Sequence, residues 1–500
     1  MNSEQPAQQS PIRPWAALWS MVLGFFMILV DTTIVSVANP SIMQSLETTM
    51  VATLWATSAY LLAYAVPLLI TGRLGDRFGT RRIYLAGLAV FTISSLMCGL
   101  ADSIEVLIFA RVLQGLGAAL MTPQTMAVIT RIFAPRERGS AMAVWGVTAG
   151  VATLVGPILG GFLLDAWGWE WIFFINVPVG VIAFVLAMRF VPKLPTNAHR
   201  FDWLGVILSA LGMFLLVFGI QEGQSYEWGM IWGPISVWGL IIAGIVILAL
   251  FVVWQRVQRG EPLIPLQIFR DRNFSVGSAA IVMVGFSVTS MNLPLMFFLQ
   301  LVMGLTPTQS ALLMIPMAVL SIVLARPVGL LIDRRDPRRI PVIGLLLVGI
   351  GVLGYALLLK PDTPVLMFLI PSAILGVGNA FMWGPLSSIT TFGLDPRLAG
   401  AGSGVYNTSR QVGAVLGSAA MAVLMESRLS ALLGDQGAAH SMGGEGGLTQ
   451  LPGPAREAFS QAMMQSLILP MCVILVGAFI AVLFGPRPAR TGEVRVVAAD

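Results

Sequence analysis

Polar residues along this chain gather in short clusters, and the stretches between them stay apolar long enough to cross ~30 Å of hydrocarbon as helices rising 1.5 Å per residue. Fourteen such stretches can be read, at 16–38, 51–71, 83–101, 105–130, 140–163, 170–191, 203–222, 231–254, 274–299, 308–332, 340–359, 364–391, 401–424 and 464–485. None alternates apolar and polar with the period of two that a lipid-embedded barrel needs. Backbone amides in lipid have no water to bond, so the runs are expected to be helices. The expected fold is an all-α integral membrane bundle of fourteen transmembrane helices.

Composition agrees. Hydrophobic residues make up 56% of the 500, charged residues 11%, and mean hydropathy is +0.84. A soluble domain carries about 25% charged residues. The first apolar run follows "MNSEQPAQQSPIRP" and is too long for the core of a signal peptide, so it is expected to be retained. Cys98 and Cys472 fall inside apolar runs with no ligand-like spacing and read as small packing hydrophobes. No metal site, cofactor or enzymatic centre is expected.

The basic residues fix an expected orientation. Sorted over loops that alternate sides, 23 of the 29 Lys and Arg residues lie on the side holding both termini. Arg111, Arg326 and Arg410 lie within runs, and only Lys360, Arg428 and Arg456 fall on the other side. The rich side is expected to be cytoplasmic. The basic balance therefore reflects membrane topology and gives no reason to expect nucleic acid as a partner.

A repeat divides the chain. "GRLGDRFGTRR" (Gly72 to Arg82) aligns without gaps with "GLLIDRRDPRR" (Gly329 to Arg339), 257 positions later, with six of eleven positions identical. A weaker echo joins "LQGLGAALM" (Leu113 to Met121) to "ILGVGNAFM" (Ile374 to Met382), at an offset of 261. The expected organisation is a cytoplasmic tail at 1–15, a six-helix half at 16–192, two inserted helices within 203–254, a second six-helix half at 274–485 and a tail at 486–500. The second half would hold an external, partly helical loop at 425–463. Paired halves of this kind are typical of transporters that bind substrate between them.

Four stretches resemble motifs of the major facilitator superfamily, specifically its fourteen-span drug:proton antiporter branch, and the likeness covers almost the whole chain. In the first loop, Gly72, Leu74, Asp76, Arg77, Gly79, Arg81 and Arg82 match, while Thr80 stands where a basic residue is common. With Asp333 and Arg334 of the repeat, these residues are expected to form a charge latch that stabilises one of two bundle orientations. "RVLQGLGAAL" places Arg111 in an apolar helix, where it needs a partner. "GPILGG" (Gly156, Pro157, Gly160, Gly161) is similar to the antiporter signature, which the resemblance associates with exporters. Near the end of the first run Asp31, Thr33, Val37, Ala38 and Pro40 fit the family pattern, with Val30, Ser36 and Asn39 departing from it.

Asp31 is the one carboxylate well inside a run. Its position, eight residues from Asn39, puts it ~12 Å below the outer end of the first helix, and Arg111 enters the fourth helix to ~9 Å below the same surface. Burying either charge alone costs at least ~2.5 kcal/mol, so the two are expected to pair. His199 and His440 lie in expected loops and cannot relay protons at mid-membrane. Asp31 with Arg111 is therefore the expected proton-coupling pair. Thr33, Gln114, Asn292 and Arg410 are the candidate cavity residues, and Arg326 is expected to snorkel to the cytoplasmic face.

The only lysines, Lys193 and Lys360, do not follow glycine, so the phosphate-binding Gly-Lys-Ser/Thr loop is absent. The driving force would then be a gradient, worth ~2.3 kcal/mol per charge per 100 mV from the potential alone. The expected activity is proton-coupled export of drugs or toxic amphiphiles, with small lipophilic substrates, protons and the bilayer as partners. A negative Asp31 facing the cavity would favour lipophilic cations. Two other readings stay open: export of one endogenous lipid or secondary metabolite, and a sensor that does not transport.

Overall fold

The computed structural model describes residues 13–133, 137–196, 202–223, 225–258, 262–334, 338–391, 393–394, 399–443 and 453–486. Expectations for the chain ends 1–12 and 487–500, and for His199, fall outside them.

The first half of the chain forms α1 (Pro14–Ser45), α2 (Met50–Ala65), α3 (Leu68–Phe78), α4 (Thr80–Gly99), α5 (Ile104–Ile132), α6 (Arg138–Trp167), α7 (Trp171–Phe174) and α8 (Asn176–Phe190). Then come α9 (Trp203–Gln221), a hairpin of β1 (Met230–Trp232) and β2 (Ile235–Ser236), and α10 (Val237–Val257). The second half forms α11 (Arg272–Phe297), α12 (Pro307–Leu312), α13 (Ile315–Arg334), α14 (Arg339–Leu358), α15 (Leu369–Thr391), α16 (Ala399–Gly443) and α17 (Gly453–Val482). Among the described residues, 12 helices are long and apolar enough to cross a membrane. Two shorter apolar helices, Met50–Ala65 and Val155–Trp167, lie where the second and fifth runs were read.

Three boundaries differ from expectation for local reasons. The second run breaks at Pro67, which cannot donate a backbone hydrogen bond, and resumes as α3. The first residues of the run at 231–254 belong to the hairpin, and helix begins only where the Ser236 hydroxyl accepts from Gly239 N at 3.0 Å. The loop expected at 425–463 is largely helix, because α16 continues to Gly443 and α17 starts at Gly453. At 45 residues, α16 extends for about 67 Å, well beyond the hydrocarbon thickness.

The two halves pack by one scheme. α4 lies on α5, α2 on α5, α1 on α6, and α8 on both α1 and α4. In the same order α14 lies on α15, α13 on α15, α11 on α16, and α17 on both α11 and α14. Glycines that admit close backbone approach recur with the pairs: Gly117 faces Gly87 and Phe91, while Gly378 faces Gly344 and Val348. α9 and α10 pack on each other, with α9 also against α16 and α2.

The end of the bundle where α1 begins is here the terminal face; the opposite end is the distal face. The halves close on each other distally. Val37, Met43, Met50 and Leu54 join one apolar cluster with residues of the second half. Gln300 Nε2 donates to the Val37 carbonyl at 3.0 Å, and Thr308 N donates to Asp165 Oδ2 at 3.1 Å. Within the first half, toward the terminal face, there is a hollow of about 580 Å³, walled by Trp19, Val22, Leu23 and Phe26 of α1 and Val144, Thr148 and Val151 of α6.

Candidate functional site: a buried charge network and the helices around it

Side chains of α5 and α8 converge on Asp31 of α1. Its Oδ2 accepts from Arg111 Nη1 at 2.6 Å, and its Oδ1 accepts from Gln114 Nε2 at 2.9 Å and Asn176 Nδ2 at 3.1 Å. Asp31 and Arg111 are each 1% exposed. All three partners are donors, so the arrangement suits the ionised carboxylate; adding a proton would cost it one of those bonds.

Arg111 has further support. Its Nε donates to the Ala56 carbonyl at 3.1 Å, its Nη1 to Gln114 Oε1 at 2.7 Å, and its guanidinium lies 4.0 Å from the Tyr60 ring centroid. A guanidinium over an aromatic face in a dry site is well placed. Behind the pair, Asn176 Nδ2 donates to Ser95 Oγ at 3.0 Å, whose hydroxyl donates to the Phe173 carbonyl at 2.9 Å. Cys98, expected as a plain hydrophobe, points its thiol at Gln114 Oε1 at 3.6 Å.

The glycine motif of α6 sits against this network. A Cβ on Gly156 would strike Thr33 and approach the Val30 carbonyl, flanking Asp31, and one on Gly160 would strike Ile34. Gly161 faces the other way, where a Cβ would lie 2.6 Å from Thr308 Cα in the second half. Pro157 is within this helix and leaves one backbone carbonyl without its usual donor. The motif thus touches the helix of Asp31 with one face and the opposite half with another.

The same motif has a counterpart that the sequence reading missed. "GAVLGS" (Gly413 to Ser418) lies 257 positions after "GPILGG", the offset of the basic loops. Gly413 meets the Val282 carbonyl and Gly417 meets Phe286 of α11, as Gly156 and Gly160 meet Val30 and Ile34 of α1. Ser418, matching Gly161, shares a 2.8 Å hydrogen bond with Ser58 of the first half.

The other expected site residues are dispersed. Gln114, expected at a cavity wall, is instead enclosed in the network because its amide bridges Asp31 and Arg111. Thr33 is half-buried and bonds the carbonyls of Leu29 and Val30 in its own helix. Asn292 does likewise with Val288 at 3.3 Å. Arg410 is half-buried on α16. Of the latch residues, Gly72 and Arg77 lie on α3, and Gly79 ends that helix at φ +98, a conformation that favours glycine. Arg81 donates to the Met188 carbonyl within its own half, and Arg82 is exposed. The side chains of Asp76, Asp333, Arg334 and Arg326 lie outside the description. The loop has one unforeseen anchor: Arg73 donates to the Pro262 carbonyl, tying α3 to the segment that enters the second half.

With the packing scheme and the buried network in view, comparison with known proteins places the chain in a class. Residues 21–418 match the Major Facilitator Superfamily model, and the chain belongs to that family of membrane transporters. It is 50% identical to an "Uncharacterized MFS-type transporter Rv1250" of Mycobacterium tuberculosis, over 94% of this chain and 81% of that one. It is 35% identical to the "Tetracenomycin C resistance and export protein" of Streptomyces glaucescens, over 86% and 79% of the two chains. Among solved structures it superposes on a bacterial homologue of the lysosomal transporter Spinster with TM-score 0.64 at 17% identity, covering 95% of this chain and 97% of that one. A D-xylose–proton symporter gives the same TM-score at 14% identity, covering 95% and 98%. Both show the shared fold.

Proposed function

We propose that this transporter exports drugs or toxic amphiphiles across the plasma membrane in exchange for protons, by alternating access. All fourteen apolar helices span the bilayer in this reading, α9 and α10 being inserted between two six-helix halves. The terminal face is cytoplasmic, so the distal closure and terminal hollow make the described conformation inward-facing. Similarity to the tetracenomycin C protein and to a "Multidrug resistance protein B homolog" of M. tuberculosis, 33% identical over 414 residues, supports export as the activity. The probable actinorhodin transporter of Streptomyces coelicolor, 34% identical, keeps open the alternative of one endogenous metabolite as cargo.

One observation carries the proton reading: the Asp31–Arg111 pair is enclosed in one half while the twin half packs the same way without it. A proton arriving at Asp31 would displace the Arg111 bond. Arg111 would not be stranded, because Ala56, Gln114 and the Tyr60 ring still hold it. α1 would then be free to shift against α5. Gly156 and Gly160 would transmit that shift to α6, and Gly161 would transmit it to Thr308 of the other half. Arg111 re-forming its bond would expel the proton on the opposite side.

The test is accumulation of several dyes and antibiotics in cells expressing the wild type and Asp31→Asn at matched membrane levels. Broad export that collapses in the variant is the expected outcome. Export unaffected by the substitution removes Asp31 from the coupling step. No export of any compound by the wild type points to a dedicated cargo.

A further inference from the structure

Arg410 is a charge within an apolar membrane helix, with no counter-ion among the described residues. It lies eleven residues along α16 from Ala399, ~16 Å from the helix start. It is half-buried and forms no ion pair or hydrogen bond among the described residues. Neither Asp31 of α1 nor Glu426 of α16 can serve it. Asp31 is committed to Arg111, and Glu426 lies four turns further along the same helix, about 24 Å away toward the distal face.

One phenol shares the helix face of Arg410 and a second lies on α2, the helix packed along α16. Tyr406, one turn earlier on the same helix face, is 7% exposed and its hydroxyl is enclosed without a hydrogen-bond partner. Tyr64 approaches from α2, its hydroxyl bonded to Thr122 Oγ1 at 2.8 Å. Tyr64 shares an apolar cluster with Ala414 and Val415 of α16, one turn beyond Arg410. An unpartnered buried hydroxyl and an unpaired guanidinium on one face are each costly, and a single acidic ligand group would satisfy both. A guanidinium presents two parallel N–H groups that match the two oxygens of a carboxylate.

We infer that Arg410 and Tyr406, with Tyr64 opposite, form the part of the substrate site that receives an acidic group, so that the preferred cargo is an apolar compound bearing a carboxylate. This deepens the export reading and rests on it for calling the ligand cargo. It also replaces the cation preference expected from an open Asp31, since that carboxylate is enclosed and neutralised by Arg111.

Equilibrium binding to the purified full chain in detergent, without a proton gradient, tests it with three matched fluorescent probes: anthracene-9-carboxylate, its methyl ester, and 9-(aminomethyl)anthracene. The acid should bind about tenfold tighter than the other two, the scale of one charge-assisted contact. Arg410→Gln should abolish that preference, Arg410→Lys should keep part of it, and Tyr406→Phe should weaken the acid alone. Thermal melting of each variant separates lost binding from lost folding, and the wild-type ranking stands without any variant. Equal binding of the three probes, failure to bind the acid, preference for the amine, or a preference that survives Arg410→Gln overturns the inference. Because no transport is measured, acid preference without dye export would sink the export reading alone, and dye export without acid preference would sink this one alone.

Discussion

Where α1 carries Asp31, the matching turn of α11 carries Met283, since Gly156 and Gly160 abut Val30 and Ile34 just as Gly413 and Gly417 abut Val282 and Phe286. Arg111 and Gln114, carried across by the offset of 261, correspond to Ser372 and Leu375, which are 0% and 1% exposed. Ser372 accepts from Met317 N at 3.2 Å, and Met317 matches Tyr60, the ring under Arg111. One half thus fills this junction with an ion pair, an amide and a stacked guanidinium, and the other with a thioether, a hydroxyl and a leucine. The helix pairs are the same in both. The scaffold does not require the charges, and burying them is costly.

The sharpest way to break that comparison is to strip one partner from the pair. Arg111→Ala leaves a dry carboxylate uncompensated and should destabilise the protein by about 3–5 kcal/mol. Ser372→Ala in the other half should cost only about 1 kcal/mol, the scale of one neutral hydrogen bond. Thermal unfolding of both variants in the same detergent reads the difference. Transplanting the apolar solution, Asp31→Met with Arg111→Ser and Gln114→Leu, should recover most of the stability lost in Arg111→Ala yet abolish export. A triple variant that still pumps would end the functional reading of the asymmetry.

Smaller effects are expected at the glycine motifs that join each junction to the opposite half. Gly161→Val drives a side chain into the backbone at Thr308 and should cost about 1–3 kcal/mol while slowing export. Gly156→Val meets the flexible Thr33 side chain as well as the Val30 carbonyl, and should impair export through α1 instead. Export rates measured at matched membrane levels would show whether the two faces of the motif act separately.

How much of this was legible in the sequence follows from the physics of each feature. The apolar runs were legible because hydrocarbon thickness dictates their length, and Asp31 and Arg111 stood out because charge in such a run demands a partner. Asn176 and Ser95 were missed because one amide or hydroxyl in an apolar helix is common and can bond its own backbone. Tyr60 was missed because an aromatic ring in an apolar helix gives no sign that a cation will lie over it. The enclosure of Gln114 depends on which way α5 is rotated, and glycine packing sets that. "GAVLGS" was within reach, had the offset of the basic loops been carried to the fifth helix. The length of α16 was not, because Gly, Ala and Ser between Gly434 and Gly443 dilute the apolar signal while still permitting helix.

The finest test of the comparison concerns the hydrogen bond between Ser58 and Ser418, the second half's counterpart of the contact at Gly161. Both hydroxyls are 0% exposed, and they join α2 to α16 across the boundary between the halves. Removing one leaves the other unsatisfied, so Ser58→Ala or Ser418→Ala alone should cost about 1–3 kcal/mol, whereas the double alanine variant should be nearly neutral. That non-additivity is the signature of direct contact. Alternating access adds a second expectation. If α2 and α16 separate when the hollow closes, the bond is present in one state only, and the double variant should shift the balance toward the other. Accessibility of single cysteines placed at Val144 and Val151 on the wall of the hollow would then fall relative to the parent protein, while its melting temperature stayed within a few degrees. Unchanged accessibility would mean that the bond persists through the cycle, and that the boundary pivots about α2 and α16 without parting there.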